Sequence, residues 1–259
     1  MTGRTVVAGT GARFVLLALV TGAGLAGYLG MRPEQPWLLW LTAGLAALAV
    51  DGIVRSHPSW EGEGALASAV YLFLPALVTL AAGFFIDRAI DGYTRPLLAV
   101  AAAAAVGFSA YGEYHTVDSS SRMYGPMRLA LAVITYLAAF ALFTVIYTDG
   151  PALALSAVAV GLVSLALSLE LLRESRLLGP SSLLAGVAIG VSLAELRLAF
   201  YFFPLDGILA GALLIVGFYL ATGLVHHLLD HDLEAGTMAE YLLVTAVGAT
   251  AVVFTRAFV

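Results

Sequence analysis

The chain contains no lysine, no cysteine and no asparagine, and only 11% of its 259 residues are charged. Without lysine there is no amine for a Schiff base, which excludes a retinal-binding protein, and no lysine to complete a nucleotide-binding loop. Without cysteine there are no disulfides, thiolate nucleophiles or cysteine-ligated metal sites. The 12 basic residues are dispersed arginines and the net charge is −5, so the chain lacks the basic surface that nucleic acid binding requires.

Hydrophobic residues, in contrast, make up 61% of the sequence. An ordinary soluble domain contains about 45–50% even when glycine is counted. One water-soluble core of this size cannot bury such an excess, because much of its surface stays exposed. The sequence therefore predicts an all-α, polytopic integral membrane bundle without a soluble domain, surrounded by the lipid bilayer.

Apolar runs recur along the chain, each close to the roughly 20 residues that a helix needs to cross a bilayer core of about 30 Å. Short breaks rich in proline, glycine and charged residues separate them. We predict eight or nine transmembrane helices in a single domain, 1–259; the ninth candidate is short and contains Arg256. The predicted spans are 12–31, 36–54, 65–86, 96–114, 128–148, 151–172, 181–203, 207–228 and 240–258.

The placement of the arginines predicts how these helices are oriented. If the N-terminus lies inside, the inner loops carry seven arginines and the outer side carries four. Cytoplasmic loops are normally the ones enriched in basic residues. We therefore expect a multi-pass protein of the cell membrane whose N-terminus is cytoplasmic.

Glu195 and Arg197 are the charged residues that fall well inside a predicted span. Ionised side chains near the bilayer centre cost on the order of 2.5–3.5 kcal/mol on insertion scales, so each needs a partner or a function. They are two residues apart and point about 200° apart around a helix, which prevents good pairing. This predicts an outward-facing polar site, in which Glu195 carries a proton or ion, or meets Arg88, and Arg197 holds an anionic group. Helix packing through interhelical ion pairs is the alternative.

All five histidines lie at or just after the end of an even-numbered predicted span, so an alternating chain places them at one membrane face. At the end of the eighth span, His227 and His231 would lie one helical turn apart if the helix continued that far. Such a pair, with a third ligand, could hold a divalent metal as cofactor. The other candidate ligands are His226, Asp230, His115 and Glu113. A solvated polar rim at the helix end explains the same residues without a metal.

Three functions fit this pattern, and the sequence favours the first. It is a small-solute transporter that uses the Glu195, Arg197 and Arg88 region. The second is a metal-dependent enzyme that acts on a lipid or lipid-linked substrate through the inner His/Asp cluster, although no long loop can hold a catalytic domain. The third is a non-catalytic scaffold or partner subunit, as a homo-oligomer or beside another membrane protein. Gly186 and Gly190 form a small-residue step that favours close helix packing.

Overall fold

The computed structural model describes residues 3–31, 35–60, 68–150, 152–173, 180–203, 205–232 and 234–258. Over these residues the chain is built from successive long α-helices. They are α1 Gly3–Gly30, α2 Pro36–Arg55, α3 Ala69–Ala89, α4 Thr94–His115, α5 Tyr124–Asp149, α6 Leu153–Leu172, α7 Pro180–Ala199, α8 Gly207–Leu229 and α9 Ala235–Phe258. A short 3-10 turn, Phe200–Phe202, follows α7.

Nine helices in the described part of the chain are long and apolar enough to cross a membrane. The predicted all-α, polytopic fold is therefore confirmed, with nine spans as the number. Most observed ends lie within a few residues of the predicted ones. The largest differences are the start of α1 at Gly3, nine residues before the predicted start at 12, and the start of α9 at Ala235, five residues before the predicted start at 240. The protein is a multi-pass membrane protein.

The contacts between helices divide the chain into two compact units, Met1–Ala138 and Ala139–Val259. Unit 1 contains α1 to α4 and the first half of α5. Its main packing pairs are α2 with α3, α1 with α4, and α3 with α4. Unit 2 contains the second half of α5 and α6 to α9, with α6 against α7 and α8 against α9 as the main pairs.

Proline occurs both at the start and in the interior of these helices. Pro36 is the first residue of α2, where an N–H would have no helical partner. Pro75 lies inside α3, and one turn later the Thr79 hydroxyl donates a hydrogen bond to the Pro75 carbonyl oxygen at 2.8 Å.

The start of α8 is capped by a side chain. Asp206 precedes α8, and its carboxylate accepts a hydrogen bond from the backbone N–H of Leu209 at 2.8 Å. This bond caps the helix and satisfies one of its first N–H groups.

Glycines set the closest helix approach in unit 2. A Cβ atom at Gly190 would lie 2.7 Å from the backbone oxygen of Gly161, and a Cβ at Gly186 would meet Ser168 and Leu169 at 3.2 Å. The predicted small-residue step of α7 is therefore a packing surface for α6. The last helix, α9, differs from α6 and α7 in its burial: within Ala235–Thr255, no residue of its most apolar 18-residue stretch is buried.

Candidate functional site

Glu195 and Arg197 lie on opposite sides of α7, in agreement with their spacing. Glu195 is exposed, whereas only 8% of Arg197 is accessible. The guanidinium carbon of Arg197 lies 4.3 Å from the centre of the Tyr147 ring, which is a cation–π contact. The Tyr147 hydroxyl donates to the carbonyl oxygen of Phe200 at 3.5 Å. Arg197 is thus packed into unit 2 while Glu195 points away from that packing.

Glu195 lies on an exposed face of α7 that carries no other charged residue. The span runs over Ser181–Phe202, so Glu195 lies about 5 Å along the helix from its midpoint at 1.5 Å per residue. Among the described residues it has no hydrogen-bond or ion-pair partner. We call this surface the α7 outer face; its exposed members are Leu184, Ala188, Val191, Ser192, Glu195, Leu198 and Ala199.

Arg88, the predicted partner of Glu195, lies near the end of α3 in unit 1. Its Nη1 atom donates to Asp87 Oδ2 at 2.6 Å. The same carboxylate oxygen accepts a hydrogen bond from the Tyr28 hydroxyl at 3.3 Å. Arg88 is therefore held by its neighbour within unit 1, and its pairing with Glu195 stays a prediction.

The histidines at the end of α8 are separated by the end of the helix. The helix ends at Leu229, and His231 follows in the left-handed region with φ 58°. The N–H of His231 donates to Leu228 O at 3.3 Å and the N–H of Asp232 donates to His227 O at 3.1 Å. This is a Schellman motif, which places a left-handed residue just after the helix. His231 therefore does not share a helical face with His227, because the helix does not continue that far.

Each remaining histidine of this segment faces an aspartate. His227 Nδ1 lies 2.9 Å from Asp232 Oδ1, and His226 Nε2 lies 3.4 Å from Asp230 Oδ2. Throughout the described ranges, no three or more His, Cys, Asp or Glu side chains are grouped so that they could hold a metal ion. The arrangement at the end of α8 is thus one of separate His–Asp pairs in a polar rim.

The strained position of His231 gives a testable stability effect. Because left-handed backbone disfavours side chains with a Cβ, we expect His231→Gly to raise the free energy of unfolding by about 0.5–1 kcal/mol. The control is His226→Gly, which lies inside α8 and should lower it by about 1 kcal/mol. Equilibrium unfolding in mixed micelles measures both. A loss of stability in His231→Gly as large as that in His226→Gly would show that this side chain has a stabilising role in the folded protein.

Unit 1 brings the two earlier histidines together around aromatic rings. The His57 ring lies 4.5 Å from the Tyr114 ring, and the His115 ring lies 5.6 Å from Tyr114 and 4.4 Å from Tyr111. Phe14 of α1 contacts the same two tyrosines at 5.5 and 5.9 Å. The end of α4 therefore packs against Phe14 in the first half of α1 and against His57, two residues after the end of α2. The sequence placed both histidines at one membrane face but gave no sign of this aromatic cluster.

The loop after α4 carries an exposed carboxylate beside this cluster. The hydroxyl and the backbone N–H of Ser120 donate to Asp118 Oδ1 at 2.7 and 2.9 Å. These hydrogen bonds, followed by the nearby charge of His57, hold the pKa of the Asp118 carboxyl below its usual value. Asp118 therefore stays charged at neutral pH at the edge of the cluster.

Buried charges at helix ends are a feature that the sequence did not reveal. Glu113 is fully buried on α4, and Arg128 is 6% accessible on α5. A Cβ on the neighbouring Gly112 would lie 3.1 Å from Leu131 of α5, so Glu113 and Arg128 belong to facing turns. In unit 2, Arg173 Nη2 lies 2.7 Å from Glu170 Oε1, with both side chains buried. Their spacing of three residues is the one signal that could have indicated this pair.

These features define a multi-pass helical membrane protein that carries both buried and exposed charges within its spans. Residues 28–255 match the family described as "Protein of unknown function (DUF5656)", and the chain belongs to this family. No curated protein and no solved structure matches the chain. Membership of this family assigns no activity, so function has to be inferred from the residues themselves.

Proposed function

We propose that the protein is a non-catalytic membrane component that assembles with a second copy of itself through the α7 outer face. The observation that carries this proposal is the exposed Glu195, close to the middle of a span and on the side of α7 that faces away from α6. A carboxylate facing lipid at this depth is costly, on the order of 2.5–3.5 kcal/mol when ionised. A partner helix that covers the carboxyl group and hydrogen-bonds to it removes this cost.

A second copy supplies the matching group at the right depth. Two chains inserted in the same direction and related by a twofold axis along the membrane normal place their Glu195 residues at the same level. A neutral carboxyl group both donates and accepts a hydrogen bond, so it is complementary to itself. Ala188 and Ser192 lie one turn apart on the same face and would let the two backbones approach closely.

Transport and metal-dependent catalysis receive less support from the geometry. Arg197 contacts Tyr147 on the opposite side of α7 from Glu195, and neither residue lines the cavities of about 440, 730 and 410 Å³ found elsewhere on the helices. The histidines at the end of α8 are paired with aspartates. The arginine distribution supports insertion into the cell membrane with the N-terminus in the cytoplasm.

Substitution of Glu195 tests the assembly directly. We expect Glu195→Leu to weaken dimerisation in liposomes about tenfold, because interhelical hydrogen bonds contribute roughly 1–2 kcal/mol. Glu195→Gln should stay within about threefold of the natural chain, since a carboxamide also donates and accepts. Single-molecule photobleaching at graded protein-to-lipid ratios measures the dissociation constant.

The matched control is Glu240→Leu, which makes the same change at an exposed position of α9. It should leave dimerisation unchanged. A natural chain that stays monomeric at all lipid ratios would contradict the proposal, as would a Glu195→Leu variant that dimerises as well as the natural chain.

A further inference from the structure

A groove between α1 and α2 in unit 1 is open to the surrounding lipid. Its volume is about 440 Å³, within the range of about 300–1,000 Å³ typical of small-molecule sites. Leu16 and Val20 of α1 and Leu45 of α2 line it, and these side chains are 61%, 44% and 46% accessible. The groove is therefore apolar and reached from the side, as an acyl chain would reach it.

Arg13 is the charged side chain that lines this groove, and it lies at one end. Its Nη1 atom donates to the Ser56 hydroxyl oxygen at 3.2 Å, and that hydroxyl donates to the Ile53 carbonyl oxygen at 2.6 Å. A guanidinium group has five N–H donors in a planar fork that matches phosphate. Arg13 is exposed, so its other donors can reach a ligand at the mouth of the groove.

The order of these groups along the membrane normal matches a phospholipid. Arg13 lies near the start of the described span Gly11–Gly30, and Ser56 follows the last residue of the span Pro36–Arg55, so both belong to the headgroup level. From Arg13 to Val20 the groove extends seven residues, about 10 Å towards the bilayer centre. A leaflet is about 15 Å deep. A phosphate held at Arg13 would therefore have its acyl chain in the groove.

We infer that the α1–α2 groove binds one acyl chain of an anionic phospholipid whose phosphate is held by Arg13, which the Ser56 hydroxyl positions by accepting one of its hydrogen bonds. The larger groove between α1 and α4, about 730 Å³, provides a comparison, because Arg95 lines it as well. There, Arg95 Nε donates to Ile90 O at 2.6 Å and Nη2 donates to Asp87 O at 3.0 Å. Those bonds hold Arg95 against the backbone, whereas the described bond of Arg13 is to one side-chain hydroxyl.

The test is lipid retention by the purified full chain, measured by native mass spectrometry after extraction from bilayers that contain equal phosphatidylglycerol and phosphatidylcholine. We expect the natural chain to retain phosphatidylglycerol about fivefold over phosphatidylcholine, the effect of about one basic residue at an anionic lipid. Arg13→Gln should reduce this ratio to about one. Inorganic phosphate added to the protein should not displace the lipid, because it cannot fill the apolar groove.

Gly52→Leu tests the acyl chain separately from the headgroup. Gly52 lines the groove and a Cβ there meets nothing within 4 Å, so a leucine side chain at this position would begin in open space and reduce the volume of the groove. We expect Gly52→Leu to lower retention of both lipids. Gly44→Leu is the matched control on α2, since Gly44 is also exposed with nothing within 4 Å and lies outside this groove; it should behave as the natural chain.

Either of two results with the variants would overturn the inference. One is a phosphatidylglycerol preference that Arg13→Gln leaves unchanged. The other is retention that falls as much in Gly44→Leu as in Gly52→Leu. Displacement of the lipid by inorganic phosphate would also overturn it, since the site would then be an anion site only. Arg13→Gln changes an exposed side chain and should fold normally, so the inference stays testable even if Gly52→Leu does not fold.

Discussion

Glu170→Leu is expected to lower the free energy of unfolding by about 3–5 kcal/mol, because it leaves the buried guanidinium of Arg173 without this carboxylate. Glu170 and Arg173 are 1% and 7% accessible, with 2.7 Å between Glu170 Oε1 and Arg173 Nη2. Desolvation makes each charge costly by itself and leaves their attraction poorly screened. Equilibrium unfolding in mixed micelles measures the effect.

Two further variants show whether burial of the charge is the cause. Glu170→Leu combined with Arg173→Met should recover most of the lost stability, since replacing a whole buried pair by apolar side chains is often neutral. Asp91→Leu removes the carboxylate of an exposed pair with Arg95 and should change stability by less than about 1 kcal/mol. Equal losses in Glu170→Leu and Asp91→Leu would contradict this explanation.

Gly190→Ala is expected to destabilise the protein by about 1–3 kcal/mol, the usual cost of overpacking a close contact. The added Cβ would lie 2.7 Å from the backbone oxygen of Gly161. A backbone atom cannot rotate away as a side chain can, so α6 and α7 have to separate. Thermal unfolding in detergent, followed by circular dichroism, gives the change.

The control for this prediction has the opposite sign. Gly44→Ala adds a Cβ that meets nothing within 4 Å, so the higher helix propensity of alanine should raise stability by up to about 1 kcal/mol. If both alanine variants are stabilised, the contact between Gly190 and Gly161 does not limit the distance between α6 and α7.

Helix number and position could be predicted from the sequence because the bilayer fixes the length of each apolar run. The ends were harder to predict where polar residues continue a helix. The predicted fifth span begins at 128, whereas α5 begins at Tyr124 and includes Pro126 in its first turn. Proline fits there, since the first N–H groups of a helix have no helical partner.

The burial of charged residues could not be predicted because it depends on which helices become neighbours. Glu113, Arg128, Glu170 and Arg173 all lie near helix ends, where charges normally meet water. For Glu195 the depth was predictable but the environment was not. One clue was present: Gly186 lies nine residues before Glu195, which is about 180° around the helix. A small-residue packing surface there indicates that Glu195 points away from it.

The end of α8 shows how one residue can change a site prediction. His227 and His231 have the spacing of a metal-binding pair, but the Schellman motif ends the helix between them. The usual signal for such an end is glycine, and here the left-handed position is occupied by His231. No glycine marks this position, so the sequence did not indicate a left-handed turn here, although the predicted span already ended at 228.

Cysteine cross-linking in native membranes tests the central claim, assembly through the α7 outer face, most directly. The chain has no cysteine of its own, so any disulfide between two chains must form at the single cysteine that is introduced. We compare Val191→Cys, near the middle of α7, with Leu162→Cys, near the middle of α6. Both positions are exposed, at 53% and 62% accessibility. We predict that oxidation links Val191→Cys chains into dimers and leaves Leu162→Cys chains monomeric. Dimers from Leu162→Cys alone, or from neither variant, would contradict the account.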